Sequence, residues 1–188
     1  MTNICIFASG EGTNAEAIIT HFANHSDIRV SLIISSRPDA YVLERANNHH
    51  IPSLVLDRNS FQETSELLES LKTFNINFIV LAGFMWLVPS YLVNAYPNKI
   101  VNLHPALLPK YGGKGMYGSH VHKAVIAASE KESGITIHYV NQNYDDGAII
   151  AQKTCAVASD DTADSLAEKI HQLEHEHFPK VIEDLLTS

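Results

Sequence analysis

Short apolar runs alternate with amphipathic stretches over the first hundred residues of the chain. The runs "NICIFA" (3–8), "RVSLIIS" (29–35), "SLVL" (53–56), "NFIVLAGF" (77–84) and "KIVNLHP" (99–105) predict strands. Between them, "NAEAIITHFANH" (14–25) predicts a helix with Ile18, Ile19 and Phe22 inward. "AYVLERANNH" (40–49) predicts a second helix, and "FQETSELLESLKTF" (61–74) a third with Leu67, Leu68 and Leu71 on one face. The run at 77–84 is continuously apolar, as expected of a strand buried on both faces of a parallel sheet. This alternation predicts an α/β fold: a doubly wound, mostly parallel sheet with helices on both faces and right-handed crossovers.

The pattern changes after residue 105. "ALLPKYGGKGMYGS" (106–119) has no period of its own, and long structureless loops in compact domains are usually functional. A short helix is expected over 120–128, then strands at "SGITIHYV" (133–140) and "GAIIAQKTCAV" (147–157). Their connection, "NQNYDD", is short enough to require an antiparallel C-terminal hairpin. Residues 160–186 predict a closing helix with Asp161 or Thr162 as N-cap, kinked or interrupted at Pro179.

A chain of 188 residues with 45% hydrophobic content predicts one domain, 1–188, with a full core. Cys5 and Cys155 lie in apolar runs, as suits reduced thiols in a cytoplasmic protein. No basic leader precedes Cys5 and no apolar run approaches a membrane span, so neither a signal peptide nor a membrane association is expected. The formal charge of -8 argues against a nucleic-acid surface. It leaves room for one small phosphorylated substrate.

Four stretches could carry chemistry. In "SGEGTNA" a strand enters a helix through a Gly-rich turn, which offers free N–H groups and the positive end of a helix dipole to an anion. Gly10 and Gly12 permit close approach, Thr13 adds a hydroxyl and Asn14 can cap the helix. The G-x-G-x-x-A spacing also fits a dinucleotide fingerprint. The second strand then ends in "SSRPD" rather than in an acidic residue, so Arg37 would suit the 2′-phosphate of NADP. In "VNLHPALLP" (101–109), Asn102 and His104 are two apart and project from one side of an extended chain. An amide donor beside an imidazole suits a tetrahedral oxyanion, although a structural Asn–His pair fits equally. In "NYDDG" (143–147), Asp145 becomes chemically interesting only if the hairpin lies beside His104, where a carboxylate would favour imidazolium; His138 could share that cluster or be an ordinary sheet histidine. Of the 11 histidines, His171 and His175 have helical i, i+4 spacing, and His120 and His122 flank Val121. No third ligand is implied, and no metal is expected. Glu174 reads as a surface residue unless its helix packs near the phosphate turn.

At "SGEGTN", "GFM", "NLHPALLP" and "YDDG", in this order and spacing, the sequence resembles the phosphoribosylglycinamide formyltransferases, a branch of the folate formyltransferase superfamily. The match covers nearly the whole chain, to the "EHEHFPKVI" helix. The resemblance implies the formyltransferase fold, with 1–100 as a phosphoribosyl-substrate half and 101–188 as a catalytic and folate-binding half. It implies transfer of a formyl group from 10-formyltetrahydrofolate, as co-substrate, to the amine of glycinamide ribotide in purine synthesis. Asn102, His104 and Asp145 would be catalytic, with Asp145 holding His104 protonated. Gly12, Thr13 and Asn14 would cradle the phosphate, Pro105 and Glu174 would contact the ribotide, and His171 would stand behind the phosphate. Met85, Trp86, Leu87 and Val88, with Val140 and Asn141, would wall the pterin pocket.

The absence of a Ser or Cys elbow fits direct transfer between two bound substrates. The chain departs from the family at Trp86, where a basic residue is common, and at Thr64 or Ser65, where some members place an arginine near the folate tail. Its loop 110–119 is long and Gly-rich, with Lys114 able to reach an anion as part of a lid. Alternative readings are a 10-formyltetrahydrofolate hydrolase and an NADP-binding Rossmann module. A methionyl-tRNA formyltransferase would need a basic domain for which the chain has no room. Of assemblies, a homodimer stays open.

Overall fold

The computed structural model describes residues 1–63 and 66–187. Strands β1 (Thr2–Ala8), β2 (Ile28–Ser35), β3 (Ser53–Val55), β4 (Phe78–Leu81), β5 (Ile100–His104), β6 (Glu132–Tyr139) and β7 (Ile149–Ala156) form one sheet in the order β3-β2-β1-β4-β5-β6-β7. The first five are parallel. β6 pairs antiparallel with β5, and β7 antiparallel with β6, as the short hairpin connection requires.

Helices α1 (Thr13–Phe22), α2 (Val42–Asn48), α3 (Arg58–Glu63), α4 (Glu66–Thr73), α5 (Ser90–Ala95), α6 (Ser119–Ala127) and α7 (Ala163–Thr187) cover the two faces. Strand β1 shows why its run is continuously apolar. Ile4, Ile6 and Ala8 face a cluster containing Ile18, Ile170 and Phe178, whereas Cys5 and Phe7 face Phe61, Leu71 and Leu92. Alternate side chains enter two different cores, so neither parity is free to be polar.

Several expected boundaries move. Across the stretch expected as a helix over 61–74, the described residues form α3 and α4. The first begins three residues early because Asp57 Oδ1 accepts the N–H groups of Asn59 (3.0 Å) and Ser60 (2.9 Å) and caps it. Residues 64 and 65 lie outside the described residues, and with them the positions expected to replace a folate-tail arginine. The strand expected over 77–84 ends at Leu81, because the backbone turns at Gly83 with φ 73°. Helix α5, which the apolar pattern did not predict, starts directly after Pro89. Pro179 does not interrupt α7; Phe178, Pro179 and Ile182 are all buried along it, and that packing offsets the lost backbone bond. Thr162 rather than Asp161 caps this helix, accepting from Ser165 N–H at 3.2 Å while Ser165 Oγ accepts from Thr162 N–H at 3.0 Å.

Candidate active site

Strand β5 ends at the carboxyl edge of the sheet, where open α/β sheets bind ligands. Its pairing with β6 sets Asn102 opposite His138 and His104 opposite Thr136. The hairpin connection after β6 then brings Asp145 over both. Asp145 Oδ2 lies 3.4 Å from His104 Nδ1, and Oδ1 lies 3.7 Å from His138 Nε2 and 3.4 Å from Asn102 Nδ2. Asp145 holds a left-handed φ of 52°, a conformation non-glycine residues adopt at some energetic cost and often at functional sites. Two local constraints keep it there. The Gly113 N–H donates to Asp145 Oδ2 at 2.9 Å, and any Cβ at Gly147 would lie 1.6 Å from the Tyr139 carbonyl oxygen.

His138 Nδ1 donates to its neighbour's carbonyl, Tyr139 O, at 2.8 Å, and its Nε2 lies 3.1 Å from Asn102 Nδ2. His138 is therefore part of the cluster, and it orients the Asn102 amide. His104 Nε2 donates to the Tyr111 carbonyl at 2.8 Å, so its Nδ1 edge faces the Asp145 carboxylate. Burial lowers the His104 pKa below its ordinary value, although Asp145 and the Tyr111 carbonyl both act to raise it. Burial raises Asp145, but His138, the His104 charge and the Gly113 N–H outweigh it and hold the carboxyl below the usual range. Burial and the facing carboxylate thus act on His104 in opposite senses.

At the Gly-rich turn after β1, Gly12 but not Gly10 needs to be glycine. Its φ is 70°, and a Cβ would meet Val42 Cγ2 at 2.6 Å, whereas nothing lies within 4 Å of a Cβ at Gly10. The first backbone bond of α1 runs from Glu16 N–H to the Gly12 carbonyl, so the N–H groups of the first turn are left for an anion. Gly12, not Asn14, occupies the cap position. Asn14 sits inside the helix and donates from Nδ2 to Glu174 Oε2 at 2.8 Å. Glu174 is accordingly buried and not a surface residue, and burial raises its pKa despite the Asn14 bond. His171 and His175 stack at 6.3 Å on the same helix. Among the described residues no group of three metal-ligating side chains is arranged to hold an ion. Arg37, which would suit a 2′-phosphate, forms a two-point pair with Asp39, at 3.1 and 2.7 Å.

One cavity of about 520 Å³ connects these parts. Asn102, His104, Pro105 and Asp145 line it together with Asn14, His171 and Glu174 and with Met85, Trp86, Leu87, Val88 and Val140. Both halves of the chain contribute to it. Gly12 and Thr13 lie outside the lining, at the turn that precedes Asn14. So does Asn141, which shapes the hairpin turn by accepting the Asn143 N–H at 2.9 Å and donating to Asp146 at 3.2 Å. Lys114, expected to reach an anion, lines the cavity with its Gly-rich loop.

Two residues were missed from sequence. His122 is 4% exposed and lines the cavity, and its Nδ1 has no hydrogen-bond partner; burial, with His171 and His104 nearby, lowers its pKa. Arg58 lies 5.8 Å over the Trp86 ring. It stands in "LDRNSF" (56–61), and a cation preceding an aromatic residue was the available signal.

A sheet covered by helices on both faces carries an Asn–His–Asp cluster at its carboxyl edge, and the chain belongs to the formyl transferase family, whose model it matches over residues 2–182. Within that family it is similar to phosphoribosylglycinamide formyltransferases. It is 38% identical over 191 residues to that enzyme of Bacillus subtilis (strain 168), covering 99% of this chain and 95% of the relative. Its structure matches the phosphoribosylglycinamide formyltransferase of Bacillus halodurans with a TM-score of 0.89 at 40% identity, over 100% of this chain and 96% of the other. Glycinamide ribonucleotide transformylase 1 of Geobacillus kaustophilus gives 0.89 at 38% identity, over 99% of both chains.

Proposed function

We propose that this chain transfers the formyl group of 10-formyltetrahydrofolate to the amine of 5-phosphoribosylglycinamide, giving formylglycinamide ribotide and tetrahydrofolate in purine synthesis. The observation that carries the reading is one cavity that joins the Asn102–His104–Asp145 cluster to the Asn14–Glu174 pair at the start of α1. The whole chain, 1–188, acts as a single formyltransferase domain in the cytoplasm, where Cys5 and Cys155 remain free thiols.

Gly12, Thr13 and Asn14 receive the ribotide phosphate on the N-terminus of α1. Pro105 and Glu174 hold the rest of the ribotide, with His171 beside it. The apolar wall of Met85 to Val88, with Val140, faces the flat pterin, and the turn at Asn141 closes over it. Arg58 at Trp86 supplies a cation for the carboxylates of the folate tail.

Asn102 donates its amide N–H to the formyl oxygen as the amine adds and negative charge builds there. His104 takes the proton that the attacking nitrogen must lose. Asp145 stabilises the imidazolium, and His104 then returns the proton to the departing folate nitrogen.

The test is to follow tetrahydrofolate release with and without glycinamide ribotide. Release that requires the ribotide supports transfer, and equal release without it supports the hydrolase.

A further inference from the structure

Three loops at the carboxyl edge of the sheet meet at the side chain of Ser9. Ser9 follows β1, Ser36 follows β2, and Met85 lies in the loop after β4. The Ser9 and Ser36 hydroxyls are 2.6 Å apart, and the Met85 N–H donates to Ser9 Oγ at 3.0 Å. The Ser9 N–H in turn donates to the Gly83 carbonyl at 3.0 Å. Both serines are buried, at 5% and 8% exposure.

These bonds continue on both sides. Next to Ser9, the Gly10 carbonyl accepts the Val42 N–H at 3.1 Å, and Gly12 packs directly on Val42. Beyond Met85 come Trp86, Leu87 and Val88, the apolar wall of the cavity. The chain has left β4 at Leu81, so no sheet ladder holds the Met85 N–H; the Ser9 hydroxyl does. A hydroxyl can accept that N–H and exchange a second bond with Ser36 at once, which an alanine cannot. Ser9 itself does not line the cavity, so any effect on the reaction passes through its neighbours.

We propose that Ser9 is a positioning residue for the transfer: with Ser36, it fastens the phosphate turn to the folate wall and so sets the distance between the two bound substrates. The proposal rests on the two-substrate reading above. In direct transfer the rate depends on how closely the reacting atoms are held, and a misplacement of about 1 Å costs on the order of 10²-fold. Losing one of several ties costs less than that.

The experiment compares the wild type with Ser9→Ala, Ser9→Thr and Ser36→Ala, using glycinamide ribotide and 10-formyltetrahydrofolate. Ser9→Ala is expected to lower kcat roughly tenfold and raise KM for the folate severalfold, with KM for the ribotide within about twofold. Ser9→Thr, which keeps the hydroxyl, is expected to recover most of kcat. A Ser9→Ala protein with kcat and both KM values within twofold of wild type overturns the proposal, even if its melting temperature falls. Should Ser9→Ala fail to fold, Ser36→Ala decides: a fall in kcat of more than about twofold supports the tie, and an unchanged kcat overturns it. Amide exchange of residues 83–88 gives a readout independent of turnover. Faster exchange in Ser9→Ala supports the fastening and unchanged exchange overturns it, whereas a wild type without transfer activity counts only against the reading of the reaction.

Discussion

Asp145 Oδ2 lies 3.4 Å from His104 Nδ1, on a residue in left-handed conformation, while the other edge of the ring donates to the Tyr111 carbonyl at 2.8 Å. The imidazole therefore has acceptors on both sides, while burial and the neighbouring His138 work against its protonation. Replacing His104 by Ala is expected to lower kcat by about 10²- to 10⁴-fold while both substrates still bind. Stopped-flow absorbance of tetrahydrofolate formation, with separate titrations of each ligand, measures the two effects apart.

The same pair sets the pH dependence. If neutral His104 accepts the proton, kcat falls as pH drops through its pKa, which lies below the ordinary 6.5. Asp145 favours the protonated ring, so Asp145→Asn removes that support and moves the acid limb to still lower pH. The plateau of kcat should fall as well, on the order of 10²-fold. An acid limb that moved upward in Asp145→Asn would contradict the assignment.

Gly12→Ala tests the phosphate turn. Its Cβ would lie 2.6 Å from Val42 Cγ2 in a backbone with φ 70°. A loss of about 1–3 kcal/mol in unfolding free energy is expected, together with a raised KM for the ribotide. Adding Val42→Ala relieves the collision but not the backbone strain, so the double variant should regain only part of the stability in urea unfolding.

Arg58→Ala tests the folate side. With a glutamylated donor, KM should rise about tenfold or more, since a charge-assisted contact is worth roughly 1.5–3 kcal/mol. With a donor lacking the glutamate tail, KM should stay within twofold of wild type. Equal losses for both donors would assign Arg58 to packing on Trp86 alone.

Stability should also respond to pH through histidines whose pKa the fold lowers. Burial lowers the pKa of His104, His122 and His175, so the unfolded chain binds their protons first as pH falls. Their contribution to stability is complete above 6.5 and is lost progressively below it. Glu174, raised by burial, acts in the opposite sense: the folded state holds its proton above 4.5, and that contribution declines as pH rises through the raised value. The melting temperature is expected to drop from pH 7.5 to 5.5, and His122→Asn should flatten the drop.

The sequence by itself determined the order of strands and helices, because alternate residues of strands such as β1 must enter two cores, and that requirement writes a continuous apolar run. It also determined that Asn102 and His104 share a side, since strand periodicity is local, and that the final hairpin is antiparallel, since its connection is short. It carried the family resemblance that now stands beside the matches to solved formyltransferases.

Only the tertiary structure decided which distant residues meet. Asn14 bonds Glu174 across 160 positions, and Asp145 reaches His104 only because β6 returns antiparallel to β5. It turned Glu174 from a surface residue into a buried one, brought His138 and His122 to the site, and gave Asn14 a partner in place of a cap. Burial also lowers the His104 pKa against the pull of its nearest charge. Desolvation depends on every atom packed around a group, and the chain's local pattern does not contain that sum.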